Sequence, residues 1–66
     1  MKNRLKIERA IKNLTQDDLS RLINVSRQTV NSIESGRYVP STVLSLKISK
    51  VFEKMVNEIF ELEDSD

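Results

Sequence analysis

The sequence predicts an all-α domain of five short helices, and three observations carry that prediction. Apolar residues recur at three- and four-residue spacing along most of the chain, and only Phe60-Glu61-Leu62-Glu63 alternates in the manner of a short strand. Thr15, Ser26 and Ser41 each stand where a helix should begin, as hydroxyl N-caps. Asn13, Asn24 and Gly36 stand where helices should end, because Asn and Gly tolerate the left-handed backbone of a C-terminal cap.

The first helix is expected over about residues 3 to 12, with Leu5, Ala10, Ile11 and then Leu14 turned to the core. Ile7 lies off that stripe. Either the segment begins in a more extended form or Ile7 packs against something else, such as the C-terminus or a partner chain. The second helix starts at Thr15, with Asp18 three residues later completing a capping-box-like start, and Leu19, Leu22 and Ile23 form its apolar face.

A turn at Asn24 leads to a third helix capped by Ser26, in which Val30 and Ile33 are the only large apolar residues before Gly36. Its other positions, Arg27, Gln28, Thr29, Asn31 and Ser32, carry donors and acceptors suited to base edges and phosphates. Two capped helices across a short turn, the second polar on its outward face, form a helix-turn-helix over about residues 15 to 36. A plain helical hairpin is the bland rival, and a purely structural surface helix would more often carry Glu and Lys pairs.

Arg37-Tyr38-Val39-Pro40 reads as a loop, since Pro40 biases Val39 away from helix. Ser41 then caps a fourth helix with Val43, Leu44, Leu46, Ile48, Val51 and Phe52 on more than one face, so it should be central to the core. After a break at Glu53-Lys54, a last short helix holds Val56, Ile59 and Phe60.

The chain's 66 residues make a single domain, residues 1–66, near the lower limit for a core without metal or disulfide staples. Cys and His are both absent, which excludes disulfides, thiolate chemistry and the commonest zinc ligands. Ser26, Ser32 and Ser35 therefore have no His to activate them, one Gly cannot make a phosphate loop, and first-turn dipole effects explain Asp17 and Asp18. An enzyme is not expected, nor any cofactor, metal or small-molecule ligand. Uncharged runs are too short for a membrane span and the N-terminus lacks a signal-peptide core, so a soluble, cytoplasmic protein is expected.

Net charge is +1, but the charges are segregated. Residues 1 to 38 hold eight Lys or Arg against four Asp or Glu, net +4, whereas residues 39 to 66 hold three against six, net −3. The basic half suits a polyanion, and the acidic end either faces away from it or merely aids solubility.

With these residues in view, the chain resembles the Cro/C1-type helix-turn-helix family, also called the XRE family, with its lambda-repressor-like five-helix fold. The likeness spans about residues 3 to 60. It is carried by Leu14-Thr15-Gln16-Asp17-Asp18-Leu19, by Val25-Ser26-Arg27-Gln28-Thr29-Val30 and by Ile33-Glu34-Ser35-Gly36-Arg37-Tyr38-Val39-Pro40-Ser41. The resemblance implies that Arg27, Gln28, Asn31 and Ser32 lie in the major groove of double-stranded DNA. It implies backbone contacts for Gln16, Thr29, Ser35, Arg37 and Tyr38, with Gln16 also buttressing the third helix. Arg9 and Glu34 match positions that form a buried ion pair in similar proteins. The family usually has Gly at Asn13, Asn24 and Glu53, and often a Ser or Thr cap at Met55. Glu53 takes a left-handed conformation only at a cost, so the link between the last two helices is expected to depart from family geometry.

A single helix-turn-helix covers one half-site, so a homodimer is expected. Val56, Ile59, Phe60 and Leu62, in a tail of about residues 55 to 63, are its candidate interface, the alternative being that they complete the core. The functional expectation is a sequence-specific transcriptional regulator, preferably a repressor, on an inverted-repeat operator. An antitoxin, or a protein-interaction module on the same fold, is the alternative.

Overall fold

Four left-handed corners set the lengths of the helices in the computed structural model, which describes residues 1–66. They fall at Asn13 (φ 56°), Asn24 (φ 58°), Gly36 (φ 79°) and Glu53 (φ 54°). The elements between them are β1 (Lys2–Asn3), α1 (Leu5–Ile11), α2 (Gln16–Leu22), α3 (Arg27–Glu34), α4 (Thr42–Phe52), α5 (Val56–Ile59) and β2 (Phe60–Glu61). At each corner the next amide reaches back five residues. Leu14 N–H bonds Arg9 O at 2.9 Å, Val25 N–H bonds Ser20 O at 2.9 Å, Arg37 N–H bonds Ser32 O at 3.0 Å and Lys54 N–H bonds Ser49 O at 3.2 Å. One device thus ends four helices and satisfies carbonyls that would otherwise be orphaned.

The corner at Glu53 corrects the expectation of unusual geometry there. Glu53 takes the left-handed cap itself (φ 54°, ψ 41°), and the Ser49 hydroxyl donates to the Lys54 carbonyl across the turn. Met55 begins α5 without a side-chain cap, and Glu58 Oε1 compensates by accepting from Met55 N–H at 3.2 Å.

The hydroxyl caps form as expected. Thr15 Oγ1 accepts from Asp18 N–H at 3.0 Å while Asp18 Oδ2 accepts from Thr15 N–H at 2.9 Å, a reciprocal capping box. Ser26 Oγ accepts from Thr29 N–H at 3.1 Å and Ser41 Oγ from Leu44 N–H at 3.2 Å.

At the N-terminus the chain is extended where helix was expected. Asn3 explains the late start: its Oδ1 accepts from Leu5 N–H at 3.1 Å, and its Nδ2 donates to Ile33 O at 2.9 Å, capping the end of α3. β1 pairs antiparallel with β2, Lys2 opposite Glu61 and Asn3 opposite Phe60, so the alternation read at Phe60-Glu61 does form a strand. Ile7, off the expected stripe, is half exposed.

The core is Leu5, Leu19, Ile23, Val30, Ile33, Leu44, Ile48, Phe52, Ile59 and Phe60, each contributing about 1.5–3 kcal/mol by burial. Three expected faces are corrected. In α1 the inward side is Leu5, Glu8 and Arg9, leaving Ala10 exposed and Ile11 66% exposed. Glu8 tolerates burial because Lys54 Nζ donates to its Oε2 at 2.9 Å, joining α1 to the corner after α4. In α2 the contact runs through Leu19, Ser20 and Ile23, and Leu22 points outward. α4 buries one stripe, Leu44, Ile48 and Phe52, while Val43 and Leu46 stay on the surface. No helix is long and apolar enough to cross a membrane.

Candidate nucleic-acid interface

Val30 and Ile33 face the core, and that choice determines what the rest of α3 presents. Arg27 and Asn31, one turn apart, form an outward row with Gln28 beside them, and all three are exposed. Together with Gln16, from the start of α2, they line one shallow, open depression. Gln28 also borders a second depression with Thr29, Ser32 and Tyr38. It therefore stands on the ridge between the two.

Glu34 is the only carboxylate on α3, and it is taken out of the site. Arg9 Nε donates to Glu34 Oε2 at 2.7 Å and Arg9 Nη2 to Oε1 at 3.2 Å, with Arg9 Nη1 on Leu14 O at 2.7 Å. The hydrogen bonds to Glu34 outweigh burial and raise the Arg9 pKa further. The pair matches the ion pair implied by resemblance. Gln16 Nε2 donates to Glu34 Oε1 at 3.3 Å, which ties the first residue of α2 to the last of α3 and leaves the Gln16 carbonyl and one N–H free.

The residues expected at phosphates are placed less uniformly. Tyr38 is partly exposed beside Ser32, and Thr29 Oγ1 shares a hydrogen bond with Ser26 Oγ at 2.9 Å. Ser35 spends its hydroxyl hydrogen on Ser32 O at 3.1 Å and accepts from Arg37 Nε at 3.0 Å. Arg37 Nη2 also donates to Asn31 Oδ1 at 3.1 Å, a contact that spacing in the sequence does not signal. Of the four tail residues, Ile59 and Phe60 are only 1% and 6% exposed and lie in the chain's own core. The other two differ: Val56 is half-buried and Leu62 exposed.

A small helical domain that clears its outward helix of free carboxylate and presents Arg, Gln and Asn in one row belongs to the class of helix-turn-helix DNA-binding domains. The helix-turn-helix family profile HTH_3 matches residues 5–58, and the chain belongs to this family, of the Cro/C1 type. The chain is 50% identical over 66 residues to an uncharacterised HTH-type transcriptional regulator of Methanocaldococcus jannaschii, covering 100% of both chains. It is 44% identical over 66 residues to another, YgzD of Bacillus subtilis, again with 100% of both covered. A third, from Archaeoglobus fulgidus, is 36% identical over 100% of this chain and 93% of its own length. The family is one of DNA-binding transcription regulators.

Proposed function

We propose that this chain is a repressor that binds an inverted-repeat operator as a homodimer, with α3 in the major groove. The observation that carries the reading is the shared depression of Gln16, Arg27, Gln28 and Asn31, beside which the one acidic group of α3 is held by Arg9. Arg27 offers paired donors to guanine O6 and N7, and Gln28 offers the donor and acceptor that adenine N7 and N6 require. Asn31 and Ser32 complete the base-facing set. Gln16, Thr29, Tyr38 and Arg37 set register along the phosphates, and Ser35, whose hydroxyl hydrogen is spent on Ser32 O, serves as the acceptor that holds Arg37 Nε.

For the second protomer, the reading is supported by apolar surface near the C-terminal strand. Val39, Leu46 and Val56 border an apolar groove with Phe60 at its floor, and Leu62 stands exposed beyond it. Covering this surface with a second copy removes apolar area from water, and the reading requires the two α3 helices of that dimer to lie one helical turn apart.

Selection of bound duplexes from a random double-stranded library tests the proposal. An enriched inverted repeat with half-sites about one turn apart is the expected result. Failure to enrich any sequence, with only weak salt-sensitive binding, contradicts it.

A further inference from the structure

Arg37 lies over the end of α3 because Gly36, at φ 79°, turns the chain back and Arg37 N–H closes on Ser32 O at 3.0 Å. From there Nη2 donates to Asn31 Oδ1 at 3.1 Å and Nε to Ser35 Oγ at 3.0 Å. Ser35 is fixed in turn by its own bond to Ser32 O at 3.1 Å. A guanidinium carries donors only, so the Asn31 amide must turn its oxygen toward Arg37 and its NH2 group away. Two of the five guanidinium N–H groups are engaged in this way, leaving three for a phosphate.

We propose that Arg37 is a positioning residue that sets base choice at Asn31, by holding the amide with its oxygen toward the guanidinium and its NH2 group toward the base. The inference rests on the reading that α3 enters the major groove. A free Asn takes adenine, giving its nitrogen to N7 and its oxygen to the N6 amino group. Adenine needs the amide oxygen and nitrogen side by side, and an oxygen turned toward Arg37 is aimed away from that pairing. Guanine presents N7 and O6, both acceptors, to the Asn31 NH2 group and is the preferred base. A phosphate contact by Arg37 is compatible with this role, but by itself leaves base choice untouched.

The test compares duplex selection by the full chain and by its Asn31→Ala and Arg37→Ala variants. The position whose preference Asn31→Ala erases is the one Asn31 reads, and the unaltered chain should favour guanine there. In Arg37→Ala the guanine-to-adenine affinity ratio at that position should fall by about fivefold or more, with the other positions unchanged. An unchanged ratio with uniformly weaker binding overturns the inference, as does adenine at that position with the unaltered chain, or no position responding to Asn31→Ala. If the unaltered chain enriches nothing, the DNA-reading proposal itself falls; enrichment with an unchanged ratio removes this inference alone.

Discussion

Arg9 and Glu34 grip each other through two parallel bonds, Nε to Oε2 at 2.7 Å and Nη2 to Oε1 at 3.2 Å, and so bolt α1 to the last residue of α3. The two side chains are 15% and 7% exposed, which limits solvent screening. Breaking such a pair from one side strands a charge in the interior. Arg9→Met should therefore cost about 3 kcal/mol, lowering Tm by roughly 12–24 °C in a domain of this size. The double variant Arg9→Met, Glu34→Leu should cost less than Arg9→Met alone, because neither charge is left buried without its partner. Urea unfolding followed by circular dichroism completes the cycle, and a double variant at least as damaged as the single one would contradict the assignment.

Glu53 holds a conformation that a side chain disfavours, so Glu53→Gly should stabilise the protein. Relief of the left-handed penalty, about 1–2 kcal/mol, exceeds the extra backbone entropy of Gly, about 0.5–1 kcal/mol. A net gain of about 0.5–1 kcal/mol follows. Gly36→Ala tests the same physics in reverse: a Cβ there meets nothing within 4 Å, so any destabilisation is conformational and not steric. Equilibrium unfolding of both variants should move in opposite directions, and movement in the same direction would refute the account of these corners.

Asp18 supplies a pH dependence with a definite sign. The Thr15 backbone N–H, then the Thr15 side chain, hold its carboxyl below the ordinary value. A carboxylate depressed by folding stabilises fully above its unfolded pKa of about 3.9, and the contribution is lost as pH falls through the lower folded value. Titration of the Asp18 carboxyl by NMR should show this depression. Thr15→Val, which removes only the hydroxyl, should raise the value part of the way back, and a titration at or above the ordinary range in the unaltered protein would contradict the capping box.

Much of this molecule is legible in its sequence because helix ends are local events. Thr15, Ser26, Ser41, Asn13 and Asn24 each act within a few residues, and all take the roles their chemistry predicts. The inward face of α1 was not legible, because the burial of Glu8 is compensated by Lys54, 46 residues away. Glu53 was misread for a related reason: the corner is held by Ser49 and Lys54 bonds that propensity does not contain. At the interface, Val30 and Ile33 revealed which side of α3 turns outward. The grip of Arg37 on Asn31 was hidden, since it depends on how the Gly36 corner aims the chain.

The central claim is that the outward row of α3 reads bases, and Gln28 on its ridge tests that most directly. The measurement is the affinity of Gln28→Ala and of the unaltered chain for the selected operator and for random duplex at one salt concentration. Loss of one paired contact should weaken operator binding by about 10- to 100-fold and leave random-duplex binding nearly unchanged. An equal loss on both duplexes, or no loss on either, would contradict the claim.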